Sequence, residues 1–129
     1  MLSLSASIRI FLCAEPVDLR KSFDGLSALV RQALGADPLS GHWFVFRNRT
    51  GDRLKILAWE EDGWCLWYKR LEAGVFRFPL PAGDGPPRLE IRAAELAMLL
   101  DGVDLTHLHR HKRYQRPTTA APAARATDQ

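Results

Sequence analysis

The sequence has few of the features that define several protein classes. It contains only two cysteines, Cys13 and Cys65, too few for a disulfide framework or a four-cysteine zinc site. Both lie in apolar, strand-like segments where buried, reduced thiols are ordinary, which favours a cytoplasmic protein. No apolar run approaches the roughly 20 residues that span a bilayer. The N-terminus is mildly apolar but lacks the basic start of a signal peptide, and we interpret it as a first strand.

Catalytic motifs are also scarce. A two-metal nuclease needs several carboxylates that converge from strand ends, and no nucleophile elbow or glycine-rich phosphate loop is present, since "GDGPP" leads into no helix. Most aspartates lie in predicted turns or caps, where Asp has structural reasons to occur: Asp18, Asp24, Asp52, Asp62, Asp84, Asp101 and Asp104. The sequence therefore predicts neither an enzyme nor a cofactor or metal, although a cryptic nuclease would still be detectable as metal-dependent DNA cleavage.

Excess positive charge is confined to the end of the chain. The formal net charge is +3 and the pI is about 9.2. Positions 1–109 hold 13 basic and 14 acidic residues, a formal charge of −1. The segment after His109 contains one acidic residue, Asp128, and the other five basic residues, which are Arg110, Lys112, Arg113, Arg116 and Arg125. Any anion-binding site before His109 must therefore be a local patch and not a general positive field.

Hydrophobic periodicity predicts an α+β domain over residues 1–105. A first strand, "SIRIFLCA", precedes a helix in "LRKSFDGLSALVRQAL", which Asp18 or Ser22 could cap and Gly35 could end. Short aromatic and β-branched runs separated by turns then predict an antiparallel meander, with strands "HWFVFR", "RLKILAW", "WCLWYKRL" and "VFRFP". A second helix follows in "LEIRAAELAMLLDGVDL". We expect a mostly antiparallel sheet of about five strands with two helices packed on one face.

The predicted meander is polarised by charge. Its first and third turns share one end of the sheet, and Lys69 and Arg70 should lie beside Arg53 in an antiparallel pairing across "EEDG". Arg77 follows on the predicted next strand. The opposite end holds Glu60, Glu61 and Asp62. Because like charges on neighbouring strands destabilise a sheet, either a bound anion or solvent must compensate the basic end.

Three interpretations of the basic end remain open: a nucleic-acid contact, a solvated sheet end, and a surface for an acidic protein partner. In the first, aromatic rings stack on bases and cations hold phosphates. The stacking residue would be Trp59 or Trp67, and Arg20 and Lys21 could join the patch. The predicted phosphate-binding residues are Arg47, Arg49, Arg53, Lys55, Lys69 and Arg70.

Residues 106–129 form a basic tail that is predicted to be disordered on its own. Three alternating histidines in "HLHRHKRYQR" could present imidazoles to a divalent metal, but no acidic or cysteine ligands accompany them. A flexible basic tail would instead add salt-sensitive, nonspecific affinity for polyanions.

The chain resembles a known family of transposon proteins. Three segments carry the resemblance: "VDLRKSFDGLSALV", "LSGHWFVFRNRTGDRLKILAWEEDGWCLWYKRLEAGVFRFP" and "LLDGVDL". They are similar to the TnpB-type small accessory proteins of insertion-sequence-66 family transposons over about residues 1–109. The family pattern usually has glycine at the position of Ser22, and it does not extend beyond His109.

The resemblance implies a noncatalytic accessory role in DNA transposition, with the transposase and a neighbouring transposon-encoded protein as partners, and DNA as a further one. It carries over no catalytic residue. The alternative function is a protein-interaction adaptor that docks the transposase through exposed tryptophans without touching DNA.

Overall fold

Five strands and two helices make up the part of the chain that the computed structural model describes, residues 4–79 and 85–106. The strands form one sheet in the order β4-β3-β2-β1-β5. No helix among these residues is long and apolar enough to cross a membrane. In chain order the elements are β1 (Ile10–Cys13), α1 (Phe23–Gln32), β2 (Trp43–Arg47), β3 (Arg53–Glu60), β4 (Gly63–Arg70), β5 (Arg88–Ile91) and α2 (Ala93–Leu100).

The sheet is mixed, which corrects the expectation of a mostly antiparallel meander. Strands β2, β3 and β4 do form an antiparallel meander, but β1 pairs with β2 in parallel, with Ile10 opposite Trp43. Parallel neighbours need a crossover connection of a dozen residues or more, usually through a helix. Helix α1 lies between β1 and β2 in the chain and supplies that crossover.

The predicted fourth strand of the meander, "VFRFP", is wrong. Residues 75–79 belong to no strand, so Arg77 does not lie on a strand beside β4. Phe76 and Phe78 are buried, and the Phe76 amide donates to the Gly51 carbonyl oxygen at 2.7 Å. Burial of the two aromatic rings accounts for the strand-like alternation of this segment.

The fifth strand instead comes from the start of the predicted second helix. Residues Arg88–Ile91 pair antiparallel with β1, with Ile91 opposite Ile10 and Leu89 opposite Leu12. Helix α2 begins only after Arg92, whose amide donates to a Glu95 carboxylate oxygen at 2.7 Å, the acceptor half of a capping box. Periodicity missed the strand because four residues fit a helix as well as a strand.

Helix α1 starts later than its sequence pattern suggested. Ser22 occupies the N-cap position but makes no side-chain capping hydrogen bond, and Asp18 instead accepts from the Arg20 amide at 3.0 Å. The helix ends at Gln32, two residues before its predicted end, with Ala33 as the C-cap. Gly35 follows with φ of +61°, a left-handed conformation that favours glycine after a helix.

The buried residues form two clusters that take alternate residues of the central strands. The α1 cluster comprises Phe11, Cys13, Leu19, Leu26, Val30, Leu34, Phe44, Phe46 and Leu57. The α2 cluster includes Ile10, Leu12, Trp43, Val45, Leu54, Ile56, Ala58, Phe76, Phe78, Ile91, Leu96, Leu99 and Leu105. Successive strand residues point to opposite faces. The buried side chains of α1 and α2 thus belong to separate clusters, which differs from the expectation of two helices on one face.

Gly51 in the β2–β3 turn provides a test of this packing. It is buried with φ of +78°, and a Cβ built there would lie 3.3 Å from the Val75 Cβ. Because the left-handed conformation strains residues with a Cβ, we expect Gly51→Ala to lower the free energy of unfolding by about 1–2 kcal/mol. Urea denaturation measures this, with Gly63→Ala as a control, since a Cβ there meets nothing within 4 Å. Equal losses for the two variants would contradict the prediction.

Candidate nucleic-acid interface

The turn between β2 and β3 is held by its own polar side chains. Asn48 Nδ2 donates to Asp52 Oδ1 at 2.8 Å, Thr50 Oγ1 donates to the same oxygen at 2.8 Å, and Asn48 Oδ1 accepts from the Arg53 amide at 3.0 Å. The hydrogen bonds from Asn48 and Thr50 lower the pKa of Asp52. These contacts give the loop that carries Arg49 a defined shape.

The pairing across the β3–β4 hairpin is as predicted. Arg53 lies opposite Arg70, and Leu54 lies opposite Lys69. The Leu71 amide donates to the Asp52 carbonyl oxygen at 2.8 Å, so the segment that follows β4 meets the β2–β3 turn. The acidic turn of Glu61 and Asp62 joins the other ends of β3 and β4. The polarity of the hairpin, basic at one end and acidic at the other, is therefore confirmed.

A cleft of about 470 Å³ opens between the β2–β3 turn and the segment that leads into α1. One wall is residues 16–20, and the other comes from residues 48–50 and Arg53. The Val17 amide donates to the Arg47 carbonyl oxygen at 2.9 Å, and Lys55 Nζ donates to the Lys21 carbonyl oxygen at 2.8 Å. These two hydrogen bonds hold the first wall against the sheet; we call the space the basic cleft.

Three arginines line the basic cleft. Arg20 is paired with Asp18, at 2.6 Å between Nη2 and Oδ2, and this guanidinium holds the pKa of Asp18 well below its usual range. Arg53 Nη1 donates to the Tyr68 hydroxyl at 3.1 Å. Arg49 is exposed, and no side-chain hydrogen bond or ion pair joins it to the described residues. Of the three cleft arginines, Arg49 is thus the one with no side-chain partner among the described residues.

Lys55 was predicted at the surface, but it lies inside. Only 6% of the residue is exposed; its ammonium bonds to Lys21 and lies 4.7 Å from the centre of the Tyr68 ring. The residue follows the alternation of β3 toward the α1 cluster, where Lys55 lies opposite Phe46. Its charge is used to tie β3 to the start of α1.

The two cations at the end of β4 lie on opposite faces of the sheet. Arg70 is opposite Arg53 and shares its face, but its guanidinium is paired with Glu72 at 3.0 Å. Lys69 is opposite Leu54, a residue of the α2 cluster, so it points away from Arg53. Strand alternation separates neighbours that the sequence analysis had grouped.

Arg47 is set apart from the basic cleft by its surroundings. Its guanidinium carbon lies 4.5 Å from the centre of the Phe78 ring, and its buried Nη1 has no hydrogen-bond partner among residues 4–79 and 85–106. Burial lowers the pKa of Arg47, while Cys13 and Glu15 act in the opposite direction. The geometry gives Arg47 a packing role on Phe78.

The aromatic residues are also redistributed. Trp59 is at the acidic end of β3 and its ring packs edge-to-face on the ring of Trp64, with 5.1 Å between the ring centroids. Trp67 lies opposite Ile56 and packs against the α2 cluster. The aromatic side chain beside Arg53 is Tyr68, which is 48% exposed. The sequence analysis named Trp59 or Trp67 as the stacking residue and not Tyr68. The antiparallel pairing across "EEDG", which sets Tyr68 opposite Lys55, was the signal that could have singled it out.

The described residues contain no group of three or more His, Cys, Asp or Glu side chains that could hold a metal ion. The histidine-rich segment from His107 onward, for which a metal site and a flexible basic tail were both considered, lies outside the described residues.

Comparison with known proteins identifies the family. A family model described as IS66 Orf2-like protein matches residues 8–110. The chain belongs to this IS66 Orf2-like family. It is 42% identical over 121 residues to the uncharacterized protein y4jC of Sinorhizobium fredii (strain NBRC 101917 / NGR234), which covers 94% of this chain and 100% of the relative. It is 36% identical over 107 residues to the uncharacterized protein y4hO of the same strain, over 83% of this chain and 90% of the relative. No solved structure matches.

Membership of the IS66 Orf2-like family confirms the resemblance drawn from the three sequence segments, and it associates the chain with insertion-sequence transposition. The match includes both walls of the basic cleft, the β3–β4 hairpin and α2. The tail lies beyond it from residue 111 onward.

Proposed function

We propose that the protein is a noncatalytic accessory factor of transposition that contacts DNA phosphates through the basic cleft. Family membership supports the transposition role. The position of Arg49 carries the DNA contact: it is an exposed residue that lines a cleft whose other cations are Arg20 and Arg53. Arginine in such a position forms charge-assisted, bidentate hydrogen bonds with phosphate oxygens.

The contact would be with the backbone of DNA more than with its bases. Arg49 lies in the β2–β3 turn and Arg53 is the first residue of β3, so these two cations lie on a turn and a strand end and not on a helix. Contacts of this kind position a protein on DNA without reading sequence. Tyr68 offers an exposed ring beside Arg53 for an additional contact with a base or sugar.

The experiment is a titration of a short DNA duplex at several salt concentrations, with the unaltered chain and the double variant Arg49→Ala/Arg53→Ala. If each arginine neutralises one phosphate, the slope of log K against log salt becomes shallower by about 2. We expect affinity near 100 mM salt to fall about tenfold or more.

Arg31→Ala is the matched control. Arg31 is exposed in the last turn of α1 and does not line the basic cleft, so its removal lowers the net charge by one without touching the site. We expect its salt slope to match that of the unaltered chain. Identical slopes for all three proteins would refute the phosphate contact at the cleft.

A second candidate function, an adaptor for the transposase, is favoured by the ion pairs of the basic end. Arg20 with Asp18 and Arg70 with Glu72 are already neutralised within the chain, and alternating surface charges suit a protein partner. The transposase would then co-purify with this protein after nuclease treatment, and the Arg49→Ala/Arg53→Ala variant would keep that association.

A further inference from the structure

Strand β4 is a long exposed edge of the sheet. It stands at the end of the strand order and has eight residues, whereas the opposite edge strand, β5, has four and follows directly on Pro86 and Pro87. Short edges and prolines are ordinary devices against edge-to-edge pairing. The β4 edge has neither.

The outer side of β4 offers backbone hydrogen-bonding groups. In an antiparallel ladder, alternate residues direct both the N–H and the C=O away from the paired strand. No described residue other than those of β3 pairs with β4. An unpaired row of this length is a template for another strand.

Apolar side chains flank this edge. Trp64, Leu66 and Trp67 are only partly buried, and no residue of β4 is fully buried. Tyr68 is 48% exposed and Phe23 of α1 is 41% exposed, and Phe23 and Trp64 line a common surface depression. A second strand along β4 would cover part of the exposed surface of Trp64 and Tyr68, adding hydrophobic burial to the backbone hydrogen bonds.

The charged residues at the two ends of β4 indicate which partner strand fits this edge. Glu61 and Asp62 are exposed at the start of β4, and Lys69 and Arg70 are exposed at its end. A second copy of β4 running antiparallel brings the acidic start of each copy beside the basic end of the other. The edge is therefore complementary to itself, which is the requirement of a two-fold symmetric interface.

We infer that the protein forms a symmetric dimer in which two β4 strands pair antiparallel, with the two-fold axis at Leu66. An axis perpendicular to the sheet pairs residues of the same face. Centring it on Leu66 sets Asp62 opposite Arg70 and Trp64 opposite Tyr68, and uses the whole of β4. Centring it on Trp67 would instead set Asp62 opposite the acidic Glu72. The product is a continuous ten-stranded sheet.

Dimerisation goes beyond the proposed function and does not depend on it. Each copy keeps its own basic cleft, since Arg20 and Arg49 lie on the loops and not on the β4 edge. A two-fold dimer carries two such clefts and can hold two DNA segments at once. Loss of DNA binding in the Arg49→Ala/Arg53→Ala variant would leave the dimer intact, so the two proposals fail separately.

Charge exchange tests the interface on the full-length chain by sedimentation. We expect a mass twice that of the 14.6 kDa chain. Asp62→Arg and Arg70→Asp should each raise the dimer dissociation constant about tenfold, because each replaces two symmetric attractive pairs by repulsive ones. The double variant Asp62→Arg/Arg70→Asp restores the pairs and should return the constant to within about threefold of the original.

A cysteine at the axis tests the register. Opposed residues of a hydrogen-bonded antiparallel pair have Cα atoms about 5.5 Å apart, within the range of a disulfide. We expect Cys65→Ser/Leu66→Cys to cross-link into a dimer on mild oxidation. Cys65→Ser alone retains only the buried Cys13 and should not cross-link, and neither should Cys65→Ser/Leu89→Cys, which places a thiol on the β5 edge.

Three results would overturn the inference. The first is a monomer at every concentration tested. The second is a dimer whose dissociation constant is unchanged by Asp62→Arg and by Arg70→Asp, or a dimer that cross-links through Leu89→Cys and not through Leu66→Cys. The third is a β4 edge that becomes available for pairing only when residues 107–129 are removed, which would make the tail the occupant.

Discussion

Replacing Phe46 by alanine is expected to lower the free energy of unfolding by about 3–5 kcal/mol. Phe46 is fully buried, at 0% exposure, and belongs to the α1 cluster with Phe44, Leu57 and Leu26. Truncation of its ring removes apolar surface from the cluster that joins α1 to the sheet, and central strands on both sides restrict collapse around the cavity. Since small domains have only about 5–15 kcal/mol of stability, much of it would be lost.

Phe23→Ala is the matched control, because it removes the same ring from the first residue of α1. Phe23 is 41% exposed, so we expect a loss below about 1 kcal/mol. Urea denaturation followed by tryptophan fluorescence measures both variants. A similar loss at the two positions would mean that Phe46 is not enclosed as the structure shows.

Replacing Lys55 by alanine is expected to lower the free energy of unfolding by about 2–3 kcal/mol. The change leaves the Lys21 carbonyl oxygen without its donor and removes the ammonium from the Tyr68 ring. Lys55→Met retains most of the aliphatic side chain and should cost less, about 1–2 kcal/mol. The difference between the two variants measures the packing of the lysine chain.

Lys69→Ala is the control for the loss of stability in the Lys55 variants. Lys69 is exposed on the neighbouring strand, and its removal should change stability by less than about 0.5 kcal/mol. The folded Lys55→Met variant should keep the salt slope of DNA binding, because its ammonium does not reach a phosphate. A slope made shallower by Lys55→Met, without loss of stability, would return Lys55 to the surface role that its sequence position suggested.

The local pattern of the sequence predicted the β2–β3–β4 meander well. Two turns of suitable composition separate three aromatic and β-branched runs, and each turn fixes the pairing of the strands beside it. The opposition of Arg53 with Arg70 follows from that pairing. The family resemblance also rested on contiguous segments, which are a property of the sequence alone.

The pairing of strands that are far apart in the chain could not be predicted from local sequence patterns. Nothing local in "SIRIFLCA" or "RLEI" shows that Ile10 lies between Trp43 and Ile91. The pairing depends on a crossover through α1 and on β5, whose residues lie far from β1 in the chain. The same limit hid the strand character of Arg88–Ile91 and gave it to Phe76 and Phe78, whose alternation serves burial and not sheet pairing.

The sequence determined which residues were predicted to bind phosphate, and the tertiary structure determined where their side chains lie. The sequence by itself put a cluster of cations at one end of a hairpin and acids at the other. Only the fold decided that Arg20, Arg49 and Arg53 share a cleft, that Lys69 faces away, and that Lys55 is buried. The physical reason is that strand alternation and packing against α1 set the direction of each side chain, and both depend on contacts between residues far apart in the chain.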